Sequence, residues 1–356
     1  MNDAEMDTPV PVIDLDIVMA NLRRMQDYCD LHGLKLRPHI KTHKMPDLAL
    51  EQVRLGAVGI TCQKLGEAEV MVDAGLTDIL MSYPVIGAAK AARLGALARR
   101  ATMRVAVDNP VALRTVADAA SQAGREIGIL VEFDSGRLRT GVTTVDEALA
   151  LARAVVATDG VRFDGLMTYP SSAATAPFIA AAKEAFAAAG IEIGMVSGGG
   201  TPDVWSKHET VGLTELRVGT YIFHDRATVG NGVATLDDCA LHVHATVVSR
   251  PTPDRAVIDT GSKSLSSDLV APSVGKGFGM IREYPDAVIE RVNEEHGMVD
   301  LSACAARPEI GERVRVLPNH VCVVVNLHDT VVRTRGGEID GDGTGVWPVA
   351  ARGRSR

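Results

Sequence analysis

The chain has 356 residues, 46% of them hydrophobic and 4% aromatic, with a formal net charge of −8. That length suits about two domains. The apolar content excludes a disordered or collagen-like chain, and the acidic balance with few rings leaves no footprint for nucleic acid or an anionic membrane surface.

Met1 to Pro9 lacks the basic and apolar regions of a signal peptide. No run of about 18 apolar residues is present, and the five cysteines are odd in number and scattered. A cytoplasmic protein with reduced thiols is therefore expected. Along the first two thirds, short apolar runs alternate with Ala-rich stretches of helical period. The expected strands are Val10–Ile13, Leu34–Pro38, Ala57–Thr61, Asp78–Ser82, Met103–Val107, Ile127–Glu132, Val161–Thr168, Ile193–Ser197 and Glu215–Val218. The expected helices are Ile17–Leu31, Pro46–Leu55, Gly66–Ala74, Ala88–Arg99, Pro110–Ala123, Val145–Val156 and Ala174–Ala189. About eight such units predict an α/β fold of the (β/α)8 barrel type. No GxGxxG follows the first strand, which weighs against a dinucleotide fold. After about Ala234 the texture becomes short β-branched runs split by Pro, Gly and Asp: His242–Val248, Arg255–Asp259, Met298–Leu301, Arg313–Val316, Val321–Val325 and Thr330–Thr334. These predict a smaller antiparallel β domain. The expected division is 8–235 and 236–356.

Chemistry concentrates where strands end. Leu34–Pro38 runs into His39-Ile40-Lys41-Thr42-His43-Lys44. A lysine held there among other cations can become an amine nucleophile, with His39 and His43 as candidate bases; the plain alternative is a solvated basic turn. Ser197-Gly198-Gly199-Gly200-Thr201 and Gly219-Thr220-Tyr221 follow two late strands and could surround a phosphate with backbone N–H groups; a flexible turn is the alternative for the glycine run. In an extended strand His320 and Cys322 would point the same way and could bind a borderline-soft ion such as zinc; a buried cysteine with a satisfied histidine is the alternative. One of Arg137 and Arg139 could hold a phosphate or carboxylate, with a surface salt bridge the reading for the other. Tyr169 could hydrogen-bond a heteroaromatic nitrogen and Gln63 could contact a bound ring, with core packing the simpler reading of both.

Several of these segments, taken together, resemble the fold-type III pyridoxal-phosphate enzymes, specifically the D-threonine aldolase and D-serine dehydratase family. The resemblance runs from Thr8-Pro9 and Asp14-Leu15-Asp16 through Arg37–Lys44, Gly59–Ala68 and Gly198–Thr201 to Pro318–Asn326 and Ala350–Gly353. It implies an alanine racemase-like N-terminal barrel with a C-terminal β domain. It makes Lys41 the Schiff-base lysine and places the phosphate on Gly198, Gly199, Gly200, Thr201, Gly219 and Thr220. Arg137, Gln63 and Tyr169 would sit around pyridoxal 5'-phosphate, and His320 and Cys322 would bind a divalent metal (zinc, manganese or magnesium). A homodimer follows by the same resemblance. The implied activity is cleavage of β-hydroxy-D-amino acids to glycine and an aldehyde. The alternative is dehydration of D-serine or 3-hydroxy-D-aspartate to a 2-oxo acid and ammonia, and an amino-acid racemase is a third reading. A non-catalytic pyridoxal-phosphate carrier would lack the segment 235–356. The family's aldolases typically carry Asp two residues after the metal histidine and its dehydratases Cys, which stands here as Cys322. Many relatives continue His-Gly after the tyrosine, whereas this chain has Pro170-Ser171-Ser172.

Overall fold

In the computed structural model, residues 6–340 and 345–356 are described. Residues 1–5 of the Met1–Pro9 segment, expected not to be a signal peptide, lie outside them. Internal contacts group the chain into two units. One comprises the residues up to Arg24, Thr42–Met45 and Thr220–Arg352; the other comprises Met25–Lys41, Pro46–Gly219 and Gly353–Arg356.

The second unit is built on eight strands, each neighbour pair parallel. In spatial order they are Ile60–Cys62, Asp78–Met81, Thr102–Val107, Ile127–Glu132, Val161–Met167, Met195–Gly199, Glu215–Arg217 and Lys35–Leu36. The two ends of this order meet. Val58 N–H donates to Leu36 O at 2.9 Å, Thr61 N–H to Pro38 O at 2.8 Å and Ile40 N–H to Thr61 O at 3.0 Å. The sheet is thus a closed (β/α)8 barrel, as the alternation predicted. Its helices begin where short-range chemistry requires. Asn109 accepts from the N–H groups of Val111 and Ala112 ahead of Pro110–Ala123, which ends at the left-handed Gly124. Thr144 and Glu147 form a capping box on Val145–Val156. Leu80, Ala106, Leu130 and Met167, from four adjacent strands, form one fully buried cluster.

Charges of alternating sign also cross this barrel. Buried Arg37 pairs with Glu215 at 2.7 Å and with Asp78 at 2.5 Å. Arg104 joins Asp78 to Asp164, each at 2.9 Å, and Arg162 adds a 2.6 Å bond to Asp164.

The other unit is a mixed sheet ordered Val288–Val292, Gly297–Asp300, Arg255–Ile258, Leu241–Thr252, Val10–Asp14, Thr330–Arg335 and Glu338–Ile339. Arg313–Leu317 pairs with Leu241–Thr252 and with Met280–Ile281, and Val346–Pro348 pairs with Thr330–Arg335. Two expectations are corrected here. The first strand, Val10–Asp14, is not part of the parallel barrel: it pairs antiparallel with Leu241–Thr252 and parallel with Thr330–Arg335, the one parallel pair among the described strands of this sheet. The run Val321–Val325 is not a strand but the helix Val321–Leu327. Its buried residues Val321, Val324 and Val325 fall at i, i+3 and i+4, the spacing of one helix face, and that burial overrides the β preference of the valines. No helix among the described residues is long and apolar enough to cross a membrane.

Two imidazoles of this unit carry an acid sensitivity. Burial, then Arg282 and Arg315, push His242 down to about 3, and burial pushes His224 down to about 4. Both stay neutral when folded, whereas an unfolded histidine titrates near ~6.5. Their contribution to stability is complete above about pH 6.5 and is lost as pH falls toward their folded values, at ~1.4 kcal/mol per pH unit for each. His242→Gln should therefore flatten the decline of the unfolding midpoint between about pH 6.5 and 4; an unchanged slope would mean that His242 is already charged in the fold.

Candidate active site

In the barrel unit, the C-terminal strand ends carry the polar groups, as barrels of this kind place them. The backbone leading to Lys41 is pinned: Arg37 N–H donates to Leu216 O at 3.0 Å and His39 N–H to Val218 O at 2.7 Å. The buried His39 accepts at Nδ1 from Lys41 N–H (3.3 Å). That fixes Nε2 as the protonated nitrogen, donating to Gln63 Oε1 at 2.9 Å, with Ser82 Oγ 3.3 Å away. Gln63 and His39 thus act together on the lysine turn, and the imidazole spends both nitrogens on orienting that turn. Ser82 has no counterpart in the sequence reading. His43, grouped with the β unit, is fully buried and accepts at Nδ1 from Met45 N–H (3.1 Å).

Lys41 is half-buried, with Nζ 5.8 Å from the centroid of the Tyr169 ring. The guanidinium of Arg139 lies over the same ring at 4.8 Å. Arg137 is exposed, and its backbone N–H is one of three gathered by the Asp134 carboxylate with those of Gly136 and Leu138. Of the two arginines, therefore, Arg139 is the one at the tyrosine. Arg139 also reaches the buried Glu132 at 3.8 Å. Thr140 donates to one oxygen of Glu132 at 2.9 Å; the other is buried with no partner among the described residues. Burial pushes the Glu132 carboxyl up, against the pull of Thr140 and the two arginines 217 and 139.

The glycine turn divides into structural and available donors. Gly199, at φ +138°, must be glycine because a Cβ would stand 2.4 Å from Arg217 O. Its N–H donates to Ser171 Oγ at 2.8 Å, and Gly200 N–H donates to Arg217 O at 3.1 Å. Gly198 is paired in the strand, where a Cβ would meet Ser171 Oγ at 2.5 Å. Ser197 Oγ donates to Glu215 at 2.6 Å and accepts from Arg217 Nε at 2.9 Å, and Arg217 donates on to Thr168 O at 2.5 Å. The backbone N–H groups of Thr201 and Gly219 make no bond among the described residues and remain for an anion. Ser171 is the unforeseen member. Two residues after Tyr169, it ties the tyrosine strand to the glycine strand, and buried Lys207 donates to its carbonyl at 2.7 Å. A lysine, an aromatic face and unspent amides fit an aldehyde-bearing phosphate cofactor.

In the β unit, Thr220 and Tyr221 form a short 3-10 turn, with Tyr221 buried. His320 is the extended cap of the helix Val321–Leu327 and Cys322 lies in its first turn, so the two side chains still converge, for a reason other than strand alternation. Cys322 Sγ lies 3.1 Å from Thr42 Oγ1 and 3.7 Å from Thr220 Oγ1. His320 Nδ1 faces Asp225 Oδ2 at 3.4 Å. Hydrogen bonding to Asp225, then to Cys322, raises His320 to about 10. Burial opposes ionisation of Cys322, but the hydrogen bonds from His320 and Thr42 bring its thiol below the ordinary range. A thiol this ready to ionise beside an imidazole fits a divalent metal chemically. No group of three His, Cys, Asp or Glu among the described residues is arranged for one, so water or substrate would complete the coordination. Asp225 escaped the sequence reading because it lies 95 positions before His320.

Two family models match: the N-terminal domain of alanine racemase over residues 13–227 and a serine dehydratase domain over 240–334. The chain is 40% identical to a D-threonine aldolase of Arthrobacter sp. over 99% of its length and 94% of the relative's. It superposes on the crystal structure of D-threonine aldolase from Filomicrobium marinum with a TM-score of 0.91 at 35% identity, covering 100% and 98% of the two chains. It also matches a variant of D-threo-3-hydroxyaspartate dehydratase in a metal-free form, with a TM-score of 0.84 at 30% identity and 98% coverage of both chains. The chain belongs to the alanine racemase-like, fold-type III pyridoxal-phosphate family, in the D-threonine aldolase and D-serine dehydratase group of lyases.

Proposed function

We propose that this enzyme cleaves β-hydroxy-D-amino acids to glycine and an aldehyde, using pyridoxal 5'-phosphate and a divalent metal. The observation that carries the reading is Lys41, its turn braced by the His39–Gln63 pair at the end of a barrel strand, together with full-length similarity to a D-threonine aldolase. In this reading segment 8–235 holds the cofactor and segment 236–356 the metal. When bound, the cofactor supplies an electron sink at Cα and the metal a Lewis acid at the β-hydroxyl. Lys41 would supply the amine that holds the cofactor by its aldehyde. Thr201 and Gly219 donate to the phosphate, and Arg139 and Tyr169 line the ring. His320 and Cys322 hold the metal, zinc suiting the thiol best. The dehydration of 3-hydroxy-D-aspartate or D-serine is the second reading, favoured by Cys322 where the aldolases carry Asp. The free thiols suit a reducing cytoplasm, and a homodimer without nucleic-acid or membrane partners follows from the family.

Product analysis decides between the reactions. The holoenzyme is given D-threonine, D-phenylserine and D-serine with and without chelator. Glycine plus aldehyde, lost on chelation, is expected; ammonia plus a 2-oxo acid would establish the dehydratase instead, and indifference to chelator would remove the metal. Cys322→Asp should move the metal preference from zinc toward manganese or magnesium, because a carboxylate oxygen suits harder ions. An unchanged order of metals would count against ligation by Cys322.

A further inference from the structure

We propose that Asp225 is a positioning residue for the metal site: its carboxylate fixes His320 with the proton on Nδ1, so that Nε2 is the nitrogen offered to the metal. The inference rests on the reading of His320 and Cys322 as metal ligands.

Asp225 is fully buried, and both of its oxygens are committed. Oδ1 accepts from Thr228 N–H at 2.9 Å, while Oδ2 accepts from Val321 N–H at 3.1 Å and faces His320 Nδ1 at 3.4 Å. The backbone of Asp225 is held as well, its N–H donating to Thr228 Oγ1 at 2.8 Å. The next residue grips the same segment from the other side. Arg226 N–H donates to Pro318 O at 3.1 Å, and its guanidinium donates to Asn319 Oδ1 at 3.2 Å. His320 thus leaves a clamped backbone, and its Nδ1 meets an anion that cannot swing away. A buried carboxylate can only accept there, so Nδ1 carries hydrogen, which leaves Nε2 as the nitrogen available to a metal. Carboxylates behind metal-bound histidines work in this way, setting the tautomer and raising ligand basicity. The plain alternative is that Asp225 merely caps the two helices Arg226–Gly230 and Val321–Leu327.

Asp225→Asn leaves one accepting oxygen where the carboxylate has two, and the zinc affinity of the variant separates these roles, since the loss of a helix cap alone would leave it unchanged. Zinc affinity of the holoenzyme is measured by competition titration for the wild type, Asp225→Asn and His320→Ala. Asp225→Asn should bind zinc about 10–100-fold more weakly, with its cofactor absorption close to wild type and its unfolding midpoint lowered by the lost backbone acceptor. Affinity within about threefold of wild type would overturn the proposal. His320→Ala should lose the site; if it binds zinc as the wild type does, the metal reading itself fails and the inference falls with it. A measurement without any variant gives a second test. In 15N-histidine spectra of the zinc-loaded wild type, His320 should show a protonated Nδ1 and a metal-shifted Nε2, and a metal-shifted Nδ1 would overturn the assignment.

Discussion

Lys41→Ala should yield a folded protein that lacks the visible absorption band of pyridoxal phosphate joined to a lysine amine, with turnover reduced by roughly 10^3–10^4-fold or more. The fold should survive because the lysine turn is held from elsewhere: His39 N–H on Val218 O, Ile40 N–H on Thr61 O, and the His39–Gln63 contact. Phosphate binding should also survive, since the N–H groups of Thr201 and Gly219 are main-chain donors that the substitution leaves alone. What disappears is the amine. Lys41→Arg sharpens the test, for arginine keeps a cation near Tyr169 and cannot supply a neutral nitrogen at any accessible pH. If charge against the tyrosine ring were the whole role of Lys41, arginine would restore activity; if the amine is the nucleophile, both variants are equally inactive. Persistence of the absorption band in Lys41→Ala, with the melting temperature unchanged, would sink the assignment.

The architecture was legible because buried runs alternate with seven Ala-rich helical stretches, and each repeat is set by its own local pattern. Where it failed, a local pattern was overruled by distant partners. Val10–Asp14 alternates like any barrel strand, yet its hydrogen bonds go to Leu241–Thr252 and Thr330–Arg335, more than two hundred residues away. The valines after His320 have strand propensity, but a buried face at helical spacing and an N–H captured by Asp225 make them a helix. The same division runs through the site. Lys41 and the glycine turn announce themselves by composition at strand ends. The choice of Arg139 over Arg137 depends on the Asp134 turn and on Glu132, and which glycine amides remain for a ligand depends on Ser171 and Arg217. Ser171 and Asp225 carry no motif at all; only the fold brings them to the residues they serve.

Arg37→Met should be the most damaging single change away from the reacting groups, lowering stability by about 3–5 kcal/mol out of the ~5–15 kcal/mol a domain commonly has. Arg37 is 3% exposed, as is Glu215, which it meets at 2.7 Å. Methionine fills much of the same volume, so the loss reports charge more than packing. Asp78 would keep Arg104 as a partner, but the carboxylate of Glu215 would lose its paired guanidinium and keep the Ser197 hydroxyl and the nearby charge of Arg217. Glu215→Gln placed on top of Arg37→Met should recover part of the loss, and the double-mutant cycle measures the pair directly. The same substitution should slow catalysis beyond what lost stability explains. Glu215 orders Ser197, Ser197 orders Arg217, and Arg217 holds the carbonyl of Thr168 immediately before Tyr169. A deficit below about 1 kcal/mol with unaltered turnover would show Arg37 to be a solvated pair of small worth, and the alternating charges would lose their place as the brace beneath the site.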